Sequence, residues 1–178
     1  MELFWVTICW FLAGVFSIAL RHKVRQGPRF TATLAAYRLL PHMTLGAVVW
    51  TLKGLEAAAI AGLLFVQTWA GMLAAFLLGI YLLAIAVNLL RGRVTIDCGC
   101  GDTPTPLSGW LVVRNLVLLL AASIAAWGLS GAGPILWSVP LLLSGFGCAV
   151  LALVLYMAIE QLLANRGLHD RLWRGVAA

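Results

Sequence analysis

The sequence predicts an all-α, polytopic transmembrane helix bundle of five spans, in which four helices form a core and a fifth is added to it. Apolar residues make up 63% of the 178 positions and charged residues only 10%. That composition leaves too little polar surface for a soluble domain. The apolar residues also fall into five runs that are long enough to cross a bilayer as helices. A single integral membrane domain therefore accounts for residues 1–178, without a second globular domain.

The five predicted spans are separated by basic, polar or proline-containing segments. The first starts directly in an apolar run and lacks the basic start and small-residue cleavage site of a signal peptide, so we expect a retained span. The second and third are joined by a very short turn near Thr68, which makes them antiparallel neighbours. The spans cover about residues 3–20, 45–67, 70–90, 110–127 and 139–163.

A short amphipathic helix is predicted between the first two spans, at residues 31–40. The basic segment Arg21–Arg25 ends the first span, and apolar residues then accompany Arg29 and Arg38. This pattern is typical of a helix lying in the membrane interface. We expect Pro41 to end the helix, because proline lacks a backbone N–H and disfavours helical geometry in the preceding residue.

The charge distribution predicts the orientation of the spans. The twelve Lys and Arg residues lie on or near the side that holds the 21–44 segment, the 91–109 loop and the C-terminal tail. Because cytoplasmic loops carry the excess of Lys and Arg, we expect the N-terminus outside and the C-terminus inside a bacterial inner (plasma) membrane. This flanking pattern explains the net charge of +6, so the expected partner is the lipid bilayer and not nucleic acid. Trp5, Trp69, Trp127 and Trp137 suit the opposite interface.

Chemistry is expected in the glycine-rich loop between the third and fourth spans, where Cys98 and Cys100 flank Gly99. The glycine lets the backbone bring the two sulfurs close together. A disulfide between residues two apart closes a small, strained ring, and strain makes a disulfide easier to reduce. The alternative is a tight turn with inert thiols. Inert cysteines favour apolar burial, whereas these lie in a polar loop, so a catalytic redox pair is the preferred interpretation.

Polar residues near the loop are candidates for a supporting role. Arg91, Arg93 and Arg114 favour the reactive thiolate form of a nearby cysteine, while Asp97 opposes it. Arg114 and its neighbour Asn115 are expected either to hold the loop, through its carbonyl groups or Asp97, or to be span-end residues that reach the interface.

The other polar residues within the spans have two interpretations each. Lys53 and Glu56 share one helical face; they are either an interfacial ion pair or a site where an intramembrane carboxylate handles protons or orders the loop. Cys9 and Cys148 are either small buried hydrophobes, which is the preferred interpretation, or a second redox pair if the first and fifth spans pack together. No metal site is expected, since Cys-x-Cys has no second ligand pair nearby.

Five sequence elements, taken together, resemble a known family. They are Tyr37–Pro41, Glu56, Asn88–Arg93, Ile96–Cys100 and Arg114–Asn115. In this order and at these separations they are similar to the methylamine utilisation protein MauE family of DoxX-like membrane proteins, over roughly residues 3–127. Many relatives continue the motif with Cys-Phe-Gly, whereas here Cys-Gly-Cys is followed by Gly-Asp, so no contact that depends on that phenylalanine is carried over.

The resemblance implies a role in maturing the beta subunit of methylamine dehydrogenase, through its processing, transport or disulfide formation. That subunit is periplasmic and disulfide-rich, and the implied partner is a thioredoxin-like protein of the MauD type. Cys98 and Cys100 would then be the redox pair of a membrane thiol–disulfide oxidoreductase or electron-transfer component. A quinone cofactor is suggested only by analogy with other membrane disulfide enzymes.

The periplasmic substrate conflicts with the orientation that the charges predict, because the cysteine loop then lies inside. Either the orientation is reversed, or the loop reaches a site in the core, or the protein carries electrons across the membrane. The alternative function is a non-catalytic scaffold or chaperone for the partner and the immature subunit. A small-molecule transporter is less favoured, because the chain is small, lacks an evident inverted repeat and has its polar residues at one end.

Overall fold

The computed structural model describes residues 1–93, 107–131 and 137–176, with side chains described up to residue 163. Within these ranges the chain is helical and contains no strand, which confirms the all-α prediction. The described α-helices are α1 Glu2–Arg25, α2 Gly27–Ala36, α3 Leu45–Leu64, α4 Thr68–Leu90, α5 Gly109–Ser130 and α6 Val139–Val176.

Five of these helices are long and apolar enough to cross a membrane, and α2 is the exception. The span that contains α3 begins one 3₁₀ turn earlier, at His42, and the apolar part of α6 ends at Leu163. The five predicted spans are therefore present, and the chain is a multi-pass membrane protein. Helix α1 is longer than predicted because its helical geometry continues through the basic residues as far as Arg25.

Helices α1, α3, α4 and α5 form a closed four-helix core. In this core α1 and α4 each pack against both α3 and α5, while α6 packs on the outside of α1. An edge-to-face contact between Phe11 and Tyr156, with ring centroids 5.9 Å apart, joins α6 to α1. The predicted arrangement of four helices plus one is confirmed. Small and aliphatic side chains fill the interior, among them Val6, Leu12, Ala59, Leu63, Ala70, Ala74, Leu77, Leu118, Ala122 and Ala125.

Glycines allow the closest helix contacts in this core. A Cβ atom added at Gly71 of α4 would lie only 3.0 Å from the Cα atom of Ala126 on α5. A Cβ atom at Gly128 of α5 would lie 2.0 Å from the ring of Trp5 on α1. Apolar burial does not draw helices together within lipid, so close van der Waals contact between small residues is what holds α5 against its neighbours.

Helix α2 begins and ends four residues earlier than predicted. Pro28 lies in its first turn, where the missing N–H would have no helical partner and proline fits the required backbone geometry. The helix ends before Pro41 because the chain turns at Arg38, which has a φ of 49°. Pro41 instead caps the start of the 3₁₀ turn His42–Thr44. The buried face of α2 includes Phe30 and packs toward α3.

Replacing Gly71 by valine should destabilise the protein, because the added methyl groups would force α4 and α5 apart. We expect a loss of about 1–3 kcal/mol in the free energy of unfolding, as for other overpacked cores. Gly79→Val on the same helix is the matched control, since nothing lies within 4 Å of a Cβ atom there. Unfolding in detergent followed by circular dichroism measures the difference, and equal effects of the two substitutions would contradict this packing.

Candidate functional site

The predicted redox pair, Cys98 and Cys100, lies outside the described residues, as does Asp97. The structure instead describes the two ends of the segment that carries them. Arg93, three residues after the end of α4, precedes that segment, and Leu107, two residues before the start of α5, follows it. The described part of the candidate site consists of the residues that flank and support this segment.

Tyr37, at the C-terminal end of α2, contacts both ends of the cysteine segment. The Arg93 side chain donates a hydrogen bond from Nη1 to the backbone carbonyl of Tyr37 at 3.4 Å. Leu107 is buried in a small apolar cluster with Tyr37, Ile85 and Leu111. The two residues that flank the segment, Arg93 and Leu107, are therefore both tied to the surroundings of Tyr37, at the end of the bundle where α4 stops and α5 starts. Arg93 has a structural role there, whereas Arg91 is exposed.

Glu56 lies in the middle of the membrane-spanning bundle and is fully buried. It lies about 17 Å along the helix axis from Leu45 and about 12 Å from Leu64, given a rise of about 1.5 Å per residue. Its Oε1 atom forms an ion pair with the ammonium of Lys23, near the end of α1. The same oxygen accepts a hydrogen bond of 2.7 Å from the hydroxyl of Tyr81 on α4. The carboxylate thus joins three of the four core helices.

The ammonium of Lys23 is enclosed by polar and aromatic groups. It donates to the Tyr81 hydroxyl at 3.1 Å as well as to Glu56. Its Nζ atom also lies 4.5 Å from the centre of the Tyr81 ring and 5.2 Å from the centre of the Phe30 ring of α2. Aromatic faces attract a desolvated cation. Lys23, Glu56 and Tyr81, which we call the core triad, form a neutral, hydrogen-bonded unit with Phe30 beside it.

The pairing of Glu56 corrects one interpretation drawn from the sequence. Its cation is Lys23 of α1 and not Lys53, which lies one turn away on the same helix. Lys53 instead places its Nζ atom 5.0 Å from the centre of the Trp50 ring. Its side chain extends toward the start of α2, where Nζ lies 3.7 Å from the Cβ position of Gly27. This direction is typical of a lysine that reaches for the membrane interface.

Two buried asparagines lie between the core triad and the cysteine segment. Asn88 of α4 and Asn115 of α5 each donate from Nδ2 to the carbonyl four residues earlier, at 2.9 and 2.8 Å. The Oδ1 atom of Asn88 is buried and accepts no hydrogen bond among the described residues. Asn88 follows Tyr81 by seven residues and so lies on the same face of α4, about 10 Å nearer the cysteine segment.

Arg114 links α5 to α6. Its Nη1 atom lies 2.9 Å from the Oε2 atom of Glu160, and the Trp110 indole donates to the other oxygen of that carboxylate at 3.2 Å. The interpretation that Arg114 binds Asp97 falls on a residue outside the described ones. The described contacts of Arg114 fix α6 to α5 near the end of the apolar part of α6.

Cys9 and Cys148 do not form a disulfide in the structure. Helices α1 and α6 do pack together, as the hypothesis of a second redox pair requires. Cys9 points into the core, whereas Cys148 is exposed on α6. The buried positions of α6 at this level are Gly145, which lies against Val6, and Ala149. Among the described residues, no three His, Cys, Asp or Glu side chains come together to hold a metal ion.

Sequence reasoning missed Lys23 and Tyr81. Lys23 belongs to a run of basic residues that predicts the end of a span. Tyr81 lies in an apolar stretch, where an aromatic residue is common and gives no sign of a functional role. One signal was available, since a carboxylate in the middle of a span requires a cationic partner from a neighbouring helix. Which helix provides that partner depends on how the helices pack.

Comparison with known proteins assigns the chain to a family. The family model for "Methylamine utilisation protein MauE" matches residues 1–128. Proteins of that name from Paracoccus denitrificans and Paracoccus versutus are 39% and 41% identical over 128 residues, which cover 70% of this chain and 69% of each of theirs. The protein from Methylophilus methylotrophus is 33% identical over 156 residues, or 84% of this chain and 80% of its own. No solved structure matches the chain significantly. The chain therefore belongs to the MauE family.

Proposed function

We propose that this protein serves methylamine utilisation as a membrane component that matures the beta subunit of methylamine dehydrogenase by thiol–disulfide exchange. Cys98 and Cys100 are the exchanging pair, and a thioredoxin-like protein of the MauD type is the partner. The observation that carries the proposal is the family match over α1 to α5, the part of the chain that holds the two-cysteine segment. The hydrogen bond from Arg93 to Tyr37 and the apolar cluster of Tyr37 with Leu107 fix the positions of the two residues that flank the segment, which supports the proposal.

Where the cysteine segment faces the same compartment as the subunit, the proposed chemistry is two successive disulfide exchanges. A thiolate of the immature subunit attacks the Cys98–Cys100 disulfide, forming a mixed disulfide and releasing one cysteine of the pair as a thiolate. A second thiolate of the subunit then displaces the other cysteine, which leaves a disulfide in the subunit and a reduced pair in this protein. The disulfide of the thioredoxin-like partner reoxidises the pair by the same two steps in reverse, so electrons pass from the subunit to the partner.

The orientation we propose is N-terminus out and C-terminus in, in the bacterial inner membrane. The bundle exposes Arg21, Arg25, Arg38 and Arg91 at the end where the cysteine segment is attached. The opposite end exposes Trp69, Trp127 and Trp137. This asymmetry supports a cytoplasmic position for the segment. Direct exchange with a periplasmic subunit requires the opposite orientation, so the side of the segment decides between direct exchange and transfer of electrons across the membrane.

A non-catalytic scaffold is the second candidate function. It is favoured by the exposed arginines around the cysteine segment, which offer a docking surface for a partner without any thiol chemistry. In that case Cys98 and Cys100 are dispensable while the basic surface is not.

Replacing Cys98 and Cys100 together by serine should abolish disulfide formation in the beta subunit, because serine cannot form the mixed disulfide. The measurement is the thiol content of the subunit and the activity of methylamine dehydrogenase in cells that contain equal amounts of each variant. Cys9→Ser with Cys148→Ser is the matched control, and it should mature the subunit normally. Full maturation by the Cys98 and Cys100 variant, with the partner still bound, would favour the scaffold.

A membrane-impermeant maleimide should not label Cys98 or Cys100 in intact cells if the N-terminus faces out. Labelling should appear after the membrane is permeabilised and the disulfide is reduced. The variant without these two cysteines corrects for other thiols. Labelling in intact, reduced cells would reverse the proposed orientation and would place the pair on the periplasmic side.

Leu107→Ala should slow the exchange reaction, because it removes the apolar anchor of one end of the cysteine segment. Truncating a buried leucine to alanine typically lowers the free energy of unfolding by about 2–5 kcal/mol. Here the substitution removes packing contacts from the small apolar cluster that contains Tyr37. Leu90→Ala at the exposed end of α4 is the control, since that side chain is 89% exposed. The rate of thiol exchange between the purified protein and a dithiol peptide distinguishes them, and equal rates would show that the anchor has no role.

A further inference from the structure

The second carboxylate oxygen of Glu56 is a buried acceptor to which none of the described residues donates a hydrogen bond. Oε1 accepts both hydrogen bonds of the core triad, while Oε2 is buried and accepts none from the described residues. A polar atom without a donor is costly to bury in an apolar environment. Oε2 is therefore the atom of this site at which a further hydrogen-bond donor or a proton binds.

The elements around α3 provide Glu56 with few charged neighbours. Helix α1 provides Lys23, and α4 provides the Tyr81 hydroxyl. Helix α2 brings the Phe30 ring against Lys23. His42, in the turn before α3, is exposed, and Lys53 of α3 itself lies over Trp50. The described ion pair that compensates Glu56 is thus the one with Lys23.

Lys23 is placed where it can leave this site without losing its charge. It lies two residues before the end of α1, between Arg21 and Arg25, which are both exposed. A lysine side chain is long and flexible, and near a helix end it can place its ammonium in the polar interface. If Lys23 departs, Glu56 is left as a single buried charge unless it gains a proton.

We propose that Glu56 is an intramembrane proton-binding site that exchanges a proton for the ammonium of Lys23. In the uptake step a proton binds to Oε2 and forms an O–H bond, while the hydrogen bond from Lys23 to Oε1 breaks. The ammonium of Lys23 moves to the interface with its own proton retained, and no electrons are transferred. The buried charge is zero before and after the step, since a neutral ion pair is replaced by a neutral carboxylic acid. Release of the proton is the reverse.

Energetics favour a functional role for this pair. Replacing a buried ion pair by apolar groups of similar size is often neutral or stabilising, so stability alone does not explain a charged triad in the bundle core.

The buried Oδ1 atom of Asn88 provides a second hydrogen-bond acceptor. It lies on the face of α4 that carries Tyr81, toward the cysteine segment. The proton site does not depend on whether Cys98 and Cys100 exchange disulfides.

Infrared spectroscopy of the purified full-length protein in lipid nanodiscs tests the proposal directly. As the pH is lowered, the wild type should gain a carbonyl band of a buried protonated carboxylic acid, at a higher frequency than that of the solvated carboxyl groups, and Glu56→Gln should lack that component. Lys23→Met should show the band throughout the pH range in which the protein stays folded, because the lone carboxylate costs more to bury than the acid. Lys53→Met is the matched control and should behave as the wild type.

A second readout uses the two lysines of the chain, Lys23 and Lys53. Reductive methylation followed by mass spectrometry gives the ratio of their reactivities, with Lys53 as an internal reference at each pH. Glu56→Gln should raise the ratio severalfold, because Lys23 then has no carboxylate to hold it in the core. This measurement also covers the case in which Lys23→Met does not fold.

Two results would overturn the proposal. One is a wild-type protein whose carboxylic acid band is absent or persists unchanged in Glu56→Gln. The other is a ratio of lysine reactivities that Glu56→Gln leaves unchanged while circular dichroism shows the native helical content. Either result would mean that the triad is a fixed structural ion pair.

Discussion

The ion pair between Lys23 and Glu56 is the interaction on which the arrangement of the bundle depends. A carboxylate in the middle of a bilayer requires compensation, and a buried charge without a partner is costly. Helix α3 can hold an ionised Glu56 there only if α1 brings Lys23 and α4 brings Tyr81 to the same level. Apolar side chains can pack in several relative positions of the helices, whereas these three polar groups can form their hydrogen bonds in only one. The triad therefore sets the relative positions of three core helices, and close contacts such as Gly71 with Ala126 fit α5 against them.

Helix α2 connects this interior charge to the segment that carries the cysteines. Phe30 and Tyr37 are seven residues apart and share one face, because α2 spans Gly27–Ala36 and Tyr37 continues its αR geometry. Phe30 lies against the ammonium of Lys23, and Tyr37 holds both ends of the cysteine segment. A helix that the sequence suggests is only an interfacial element thus lies against both Lys23 of the triad and the residues that flank the cysteine segment. A displacement of Lys23 would change the surface on which α2 rests.

The sequence predicted those features of the structure that a single physical rule determines. Uninterrupted apolar runs predict the five spans, because the bilayer demands about 20 apolar residues per crossing. Residue chemistry also singled out Glu56, since a carboxylate in a span is rare. Its partner was not predictable, because Lys53 is near Glu56 in sequence while Lys23 becomes near only when α1 packs against α3. The bounds of α2 were misjudged for a related reason, since Pro28 starts a helix as readily as Pro41 ends one and the turn at Arg38 depends on tertiary contacts.

The extent of the family match fits the division of the bundle into a core and an added helix. The match ends at residue 128, near the end of α5, and so includes the core triad, α2 and both ends of the cysteine segment. Helix α6 lies outside this region and packs on α1 from the exterior. Glu160 is its polar link to the core, through Arg114 and Trp110. The charged interior and the two residues that flank the cysteine segment, Arg93 and Leu107, thus belong to one structural unit of four helices and α2, which is the part of the chain that both proposals concern.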